Sequence, residues 1–147
     1  VTAYRTILAF DFGSKRIGIA VGQELTRTAQ ALVTLTNPQQ RPDWQGIATL
    51  IKEWQPQLLV VGLPVNMDGS PQPATTSARN FGEELKTRYN LPVEWIDERL
   101  SSVEAEMQIK ETIPAKHRQR HKQDVDKLAA AIILQTWLNQ HPDHDPG

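Results

Sequence analysis

Three acidic residues, Asp11, Glu98 and Asp126, stand where carboxylates could do phosphate or metal chemistry. Asp11 is the most telling. The segment Thr6-Ile7-Leu8-Ala9-Phe10-Asp11-Phe12-Gly13 reads as a buried strand with one charge inside it. Side chains alternate along a strand, so Asp11 shares a face with Ile7 and Ala9. An ionised carboxylate buried there is costly unless a cation compensates it. Asp11 follows the first strand's apolar run, Glu98 follows the fifth, and Asp126 opens the last helical pattern. Carboxylates from several elements at one sheet edge can hold Mg²⁺ or Mn²⁺ through oxygen ligands. Two such ions, about 3.5–4 Å apart, stabilise both reacting oxygens in phosphodiester cleavage.

Spacing supports the three unequally. At about 100° per residue, Asp126 lies on one helical face with Ala129, Ala130, Ile133 and Trp137. That face is apolar and should pack on a sheet. Asp124 lies about 200° away and suits an N-cap. Asp126 equally suits a helix-start carboxylate favoured by the dipole, and spacing leaves both readings open. Asp97 and Glu98 are adjacent, and alternation cannot choose between them because Trp95 and Ile96 are both apolar. On spacing alone, Glu98 fits a surface ion pair with Arg99 better than a ligand.

Cations gather around these acids in the sequence. Lys116, Arg118, Arg120 and Lys122 precede Asp126, Lys15 and Arg16 follow Asp11, and Arg79 and Arg99 can extend the same surface. Cations around a carboxylate cluster suit a polyanionic substrate, although a solvated charge run is the plain alternative. The loop from Gly62 to Gly69, which includes Asn66, is rich in turn formers. Its amides could receive a phosphate, or it could be only a strand-to-helix connection. His117 and His121 have helical i, i+4 spacing, which alone is weak evidence for zinc. Trp44, Trp54, Trp95 and Trp137 fit core positions better than base-stacking ones.

The elements that must position these groups are readable. Gly13–Arg16 is a turn between the first strand and a second, Ile17–Gly22, so an antiparallel hairpin is expected. Gly18 and Gly22 would let another backbone come close. A third strand fits Ala31–Leu35. Asp43 suits the N-cap of a helix carrying Trp44, Ile47, Leu50, Ile51 and Trp54, which Pro56 stops. The continuous apolar run Leu58–Leu63 belongs to a strand covered on both faces. A helix over about Thr75–Arg88, a strand Val93–Ile96, and a helix capped by Ser101 or Ser102 follow. Residues 112–123 look irregular and basic. The last helix is expected over about Asp124–Asn139, and 141–147 as a frayed tail. A meander of three strands followed by alternating helix and strand predicts an α/β fold. It has a five-stranded mixed sheet with helices on both faces, as one domain over 1–140.

Composition sets the outer bounds. The chain has 147 residues, 39% hydrophobic and 22% charged, which suits one globular domain. Cysteine is absent, which excludes disulfides, thiolate zinc sites and a cysteine nucleophile. No apolar run approaches a membrane span, and no charged-then-apolar leader opens the chain, so a cytoplasmic protein is expected. Net charge is −1, so any basic surface must be local rather than global.

Four motifs, taken together, resemble the YqgF family, also called RuvX, of RNase H-like nucleases. They are Ala9-Phe10-Asp11-Phe12-Gly13-Ser14-Lys15-Arg16-Ile17-Gly18, then Val61-Gly62-Leu63-Pro64 with Asn66-Met67-Asp68-Gly69. Next come Asp97-Glu98-Arg99-Leu100-Ser101-Ser102, and Asp126 with Ala129 and Ala130 behind it. They span nearly the whole chain in family order. The resemblance implies an RNase H-like fold and an acidic site of Asp11, Glu98 and Asp126. It also implies nucleic-acid partners: a pre-16S ribosomal RNA 5′ end or, for some members, a Holliday junction in DNA. A monomer or weak homodimer is expected. In related resolvases an acidic residue commonly follows the fourth strand, where this chain has Gly62-Leu63-Pro64. A non-catalytic binding module on the same fold is a further alternative. The hairpin is also similar to that of actin- and Hsp70-like ATPases, but those need two such domains and this chain has room for one.

Overall fold

The computed structural model describes residues 4–113 and 122–141. Five strands form one sheet: β1 (Thr6–Phe12), β2 (Arg16–Gln23), β3 (Thr28–Thr36), β4 (Leu58–Leu63) and β5 (Val93–Asp97). Their spatial order is β3-β2-β1-β4-β5. The β1–β2 and β2–β3 pairs are antiparallel, while β1–β4 and β4–β5 are parallel. The two parallel pairs are reached through helical crossovers, as parallel strands require. The helices are α1 (Trp44–Trp54), α2 (Pro73–Tyr89), α3 (Val103–Glu111) and α4 (Lys122–Gln140).

The sheet carries a core on each face. Ile7 and Ala9 of β1 pack with Val60, Ile96 and the buried face of α4, including Ala130, Ile133, Leu134 and Trp137. Leu8 and Phe10 point the other way, onto Ile47 of α1 and Ala78, Phe81 and Leu85 of α2. The central strands therefore read as unbroken apolar runs, because both their faces are covered. Asp11 continues the Ile7–Ala9 parity and emerges on the α4 side. Among the described residues no helix is long and apolar enough to cross a membrane.

Local chemistry explains the boundaries. The Asp43 carboxylate accepts from the Gly46 amide at 2.9 Å and caps α1. Gln55 closes α1 in the left-handed region at φ 47°, before Pro56. Ser102, not Ser101, caps α3, accepting from the Ala105 amide at 3.0 Å. β3 runs over nine residues, longer than Ala31–Leu35, with a register shift opposite Ile19 and Ala20. Its added residues are held from outside the strand. Gln135 of α4 accepts from the Ala29 amide and donates to the Arg27 carbonyl. α4 begins at Lys122, two residues before the expected start. In the expected frayed tail, His141 stacks on Trp137 with ring centroids 4.1 Å apart. The remainder of that tail lies outside the described residues.

Candidate active site

Asp11 sits at the carboxyl end of β1, directly opposite Gly18 of β2. Gly18 is where the start of α4 lands. A Cβ there would collide with the Asp126 backbone carbonyl, so only glycine permits this approach. The contact sets Asp126 one strand away from Asp11. On the other side of β1, Gly62 of β4 performs the same service for Glu98. A Cβ on Gly62 would lie 2.8 Å from Glu98 Oε1 and 2.8 Å from Ile133 Cδ1. Glu98 thus reaches back across β4 into the space beside Asp11. The space above Gly62 is filled by the Glu98 side chain, which comes from the end of β5.

The Asp97–Glu98 ambiguity is resolved by a turn. β5 ends at Asp97, and Glu98–Leu100 forms a single 3₁₀ turn. The Asp97 carboxylate accepts from the Arg99 amide at 2.8 Å and from Arg99 Nη2 at 2.6 Å. Asp97 is therefore the structural partner of Arg99, and the surface pair between Glu98 and Arg99 does not form. Arg99 holds Asp97 below the usual carboxylate range. Glu98 is turned instead into the cleft.

Asp11 and Glu98 face each other in one cleft, close enough for each carboxyl to shift the other. Burial, then the Asp11 charge and the shared hydrogen bond, push Glu98 up to about 8. Burial also raises Asp11, with the nearby charge of Asp126 adding to it, while the bond from Glu98 pulls the other way. Both shifts run toward the protonated form, so the pair resists carrying two negative charges. Two acids cannot both ionise at such range without a cation. The pair lines an open cleft of about 320 Å³ together with Ser101 and Glu106, over a floor that includes Ala129 and Ile133.

Asp126 is close but turned aside. Arg16 Nε donates to Asp126 Oδ2 at 2.6 Å, an ion pair between residues 110 apart. Among the described residues, no three acidic or imidazole side chains converge as a ready metal cage. The donor set nonetheless fits a hard divalent cation. Asp11 and Glu98 offer carboxylate oxygens to one cleft, and a cation there would relieve the cost of ionising both. Asp126 Oδ2 is held by Arg16, while its Oδ1 has no hydrogen-bond partner among the described residues.

The expected cations divide into groups. Lys15 is exposed in the hairpin turn, which Asn37 fastens. Its amide donates to the Lys15 carbonyl at 2.8 Å and its Nδ2 to the Gly13 carbonyl at 2.7 Å. Arg16 is at the site, on Asp126. Arg99 stands beside it, on Asp97. Arg79 is exposed on α2, the layer that covers the opposite face of the sheet, so the fold does not bring it to the acids. Asn66 Nδ2 donates to Ser70 Oγ at 3.0 Å within its own turn. Lys116, Arg118 and Arg120, with His117 and His121, lie outside the described residues, and Lys122 opens α4. Glu106 is the acid that sequence reasoning missed. It lines the cleft from α3 and pairs with Lys110 at 2.8 Å. Its only signal was its place beside Ala105 and Ile109, the buried stripe of α3.

An open mixed sheet of this order, with helices on both faces, is the RNase H-like fold. Solved structures of that class match over nearly the full chain. Thermus thermophilus RuvC in complex with a Holliday junction substrate has a TM-score of 0.60 at 14% identity, covering 97% of this chain and 99% of that one. The fowlpox virus resolvase with junction DNA has a TM-score of 0.58 at 11% identity, covering 92% and 98%. At such identities the likeness is one of fold. The chain belongs to the RuvX family, whose model, described as "Holliday junction resolvase", matches residues 5–140. A relative from Nitrosococcus oceani, named "Putative pre-16S rRNA nuclease", is 51% identical over 136 residues, 92% of this chain and 88% of that protein. One of the same name from Haemophilus ducreyi is 49% identical over 137 residues, 93% of this chain and 98% of that protein.

Proposed function

We propose that this chain is a divalent-metal-dependent nuclease that trims the 5′ end of the 16S ribosomal RNA precursor. The observation that carries the reading is the Asp11–Glu98 pair, two acids held together in an open cleft with Asp126 one strand away. Gly18 and Gly62 leave the room in which the start of α4 and the Glu98 side chain reach this edge of the sheet. A bound Mg²⁺ or Mn²⁺ supplies Lewis acidity at a phosphoryl oxygen. Asp11 and Glu98 would hold such an ion through their carboxylate oxygens. Asp126 would complete the set, and Arg16, beside it, would offer a guanidinium to a backbone phosphate. Lys15, exposed one residue earlier, offers a second phosphate contact. The names of the half-identical relatives support the RNA substrate. On this reading a monomer, or at most a weak homodimer, is sufficient, and the work is done in the cytoplasm.

The family description supports a second reading, cleavage of four-way DNA junctions. That activity needs two incisions and hence two sites. The test sets both substrates against wild type and Asp11→Asn in Mg²⁺. The RNA reading expects cutting at the 5′ extension of precursor 16S RNA, slowed at least about a hundredfold in the variant. Equal cutting by both proteins would remove Asp11 from the chemistry, and paired incisions in the junction alone would move the substrate to DNA.

A further inference from the structure

The end of β1 carries a second recess, on the face away from the acids. Side chains alternate along a strand, so Asp11 and Phe12 leave opposite faces of the same strand end. Asp11 opens into the acidic cleft on the α4 side. Phe12 packs with the core under α1 and α2 and lines a separate cavity of about 230 Å³. The Gly13–Arg16 turn joins the two recesses. Ser14 lines the second cavity, Arg16 stands on Asp126 at the first, and Lys15 is exposed between them.

The walls of this cavity are of two kinds. Its apolar side is the Phe12 ring with Pro73. That ring is backed by Phe81 at a centroid distance of 4.6 Å, and Phe81 by Trp44 at 5.7 Å. Its polar side is Ser14, Gln40 and Ser77, and among the described residues none that lines it is acidic. Ser77 Oγ donates to Gln40 Oε1 at 3.3 Å, so the Gln40 amide nitrogen stays available as a donor. Gln40 is held there by an uncommon backbone. Gln39 and Gln40 both take the left-handed region, at φ 54° and 57°, which residues other than glycine adopt at a cost. The facing wall is fixed by Asn37, fully buried, whose Nδ2 donates to the Gly13 carbonyl at 2.7 Å.

An aromatic surface facing hydroxyls and a carboxamide, with cations at its edge, fits a nucleobase still attached to its backbone. A base offers a π-face to Phe12 and a donor–acceptor edge to Gln40 and the two serines. A free phosphate would gain nothing from Phe12 and Pro73. A continuous duplex keeps its base faces stacked, so the base must be unpaired.

We propose that this cavity receives one unpaired base of the RNA strand whose backbone crosses the Gly13–Arg16 turn into the acidic cleft. Lys15 and Arg16 take the phosphates on the way. The captured base fixes the register of the strand, and so which phosphate lies over Asp11 and Glu98. The proposal rests on the reading of the acidic site as a nuclease of structured RNA and names how that site chooses its phosphate.

The test binds the full chain to a 5′-extended 16S precursor RNA, with Ca²⁺ replacing Mg²⁺. A single abasic nucleotide is moved in turn through the positions flanking the cleavage site. At one position wild type should lose about tenfold in affinity, the value of one base stacked on an aromatic ring. The double variant Ala74→Leu, Ser77→Leu fills the cavity from the start of α2. It should bind intact RNA about tenfold more weakly and be indifferent to the abasic nucleotide at that position. Ser77→Ala keeps the room and should stay within about threefold of wild type. Gln40→Ala, at an exposed residue outside α2, should weaken intact RNA about threefold and leave binding of the abasic RNA unchanged. Equal losses at every abasic position, or full abasic sensitivity in the filled variant, would overturn the base pocket. Binding of free nucleoside monophosphates that Gln40→Ala weakens, without any abasic effect in RNA, would make it a mononucleotide site and overturn the strand reading. A position-specific abasic effect with no cutting by wild type in Mg²⁺ would overturn the nuclease reading and leave the pocket standing. A wild type that binds no RNA overturns both.

Discussion

Replacing Glu98 by Gln should stabilise the metal-free protein at alkaline pH while abolishing its activity. The folded protein holds Glu98 at about 8 against an ordinary value of 4.5. An acid whose folded pKa is raised binds more protons folded than unfolded between those two values. Stability is therefore fully present below about pH 4.5 and falls as pH rises toward 8. Each pH unit is worth about 1.4 kcal/mol, so the ceiling is about 5 kcal/mol. The pair lines an open cleft, and solvation there relieves much of that penalty, leaving on the order of 2 kcal/mol. Gln cannot ionise. Urea unfolding in EDTA at pH 5 and pH 9 reads the difference directly. Wild type and Glu98→Gln should agree at pH 5, and the variant should be the more stable by about 2 kcal/mol at pH 9. Groups other than the pair titrate equally in both proteins and cancel. Saturating Mn²⁺ should reverse the order, because the ion stabilises the form that binds it better. A variant no more stable than wild type at pH 9 would refute the mutually shifted carboxyl pair.

Three further outcomes follow from the same geometry. Gly18→Ala drives a methyl into the Asp126 carbonyl, so it should cost at least about 2 kcal/mol in urea unfolding as α4 is pushed off β2. Gly62→Ala sets a methyl 2.8 Å from Glu98 Oε1. It should lower cleavage about tenfold or more by displacing that carboxylate, while the protein stays folded by circular dichroism. Arg16→Gln frees Asp126 from its ion pair and should tighten Mn²⁺ binding about fivefold by calorimetry, even as RNA binding weakens.

Much of this architecture is legible in the residues, and the exceptions have physical causes. β1, β4 and the inward face of α4 are readable because burial on both sides of a sheet leaves long apolar runs. Asp11 stands out against that background for the same reason. Glu98 does not, because alternation ends where β5 turns into a 3₁₀ turn, and the choice between Asp97 and Glu98 depends on which one Arg99 takes. Gly62 looks like a missing acid in sequence. Only in space is it the seat of the Glu98 carboxylate. The pairing of Arg16 with Asp126 joins residues 110 apart and leaves no local trace. The outer half of β3 is hidden because Gln135, from the last helix, holds its backbone. The helix at Lys122 starts within a basic stretch whose composition reads as irregular.

The proposed cation site is formed by Asp11 and Glu98 and completed by Asp126. Anomalous diffraction from crystals soaked in Mn²⁺ addresses this most directly. The predicted result is an ion touched by Asp11 and Glu98, with Asp126 turned toward it. A structure at saturating Mn²⁺ with no ion beside Asp11 and Glu98 would contradict the proposed site.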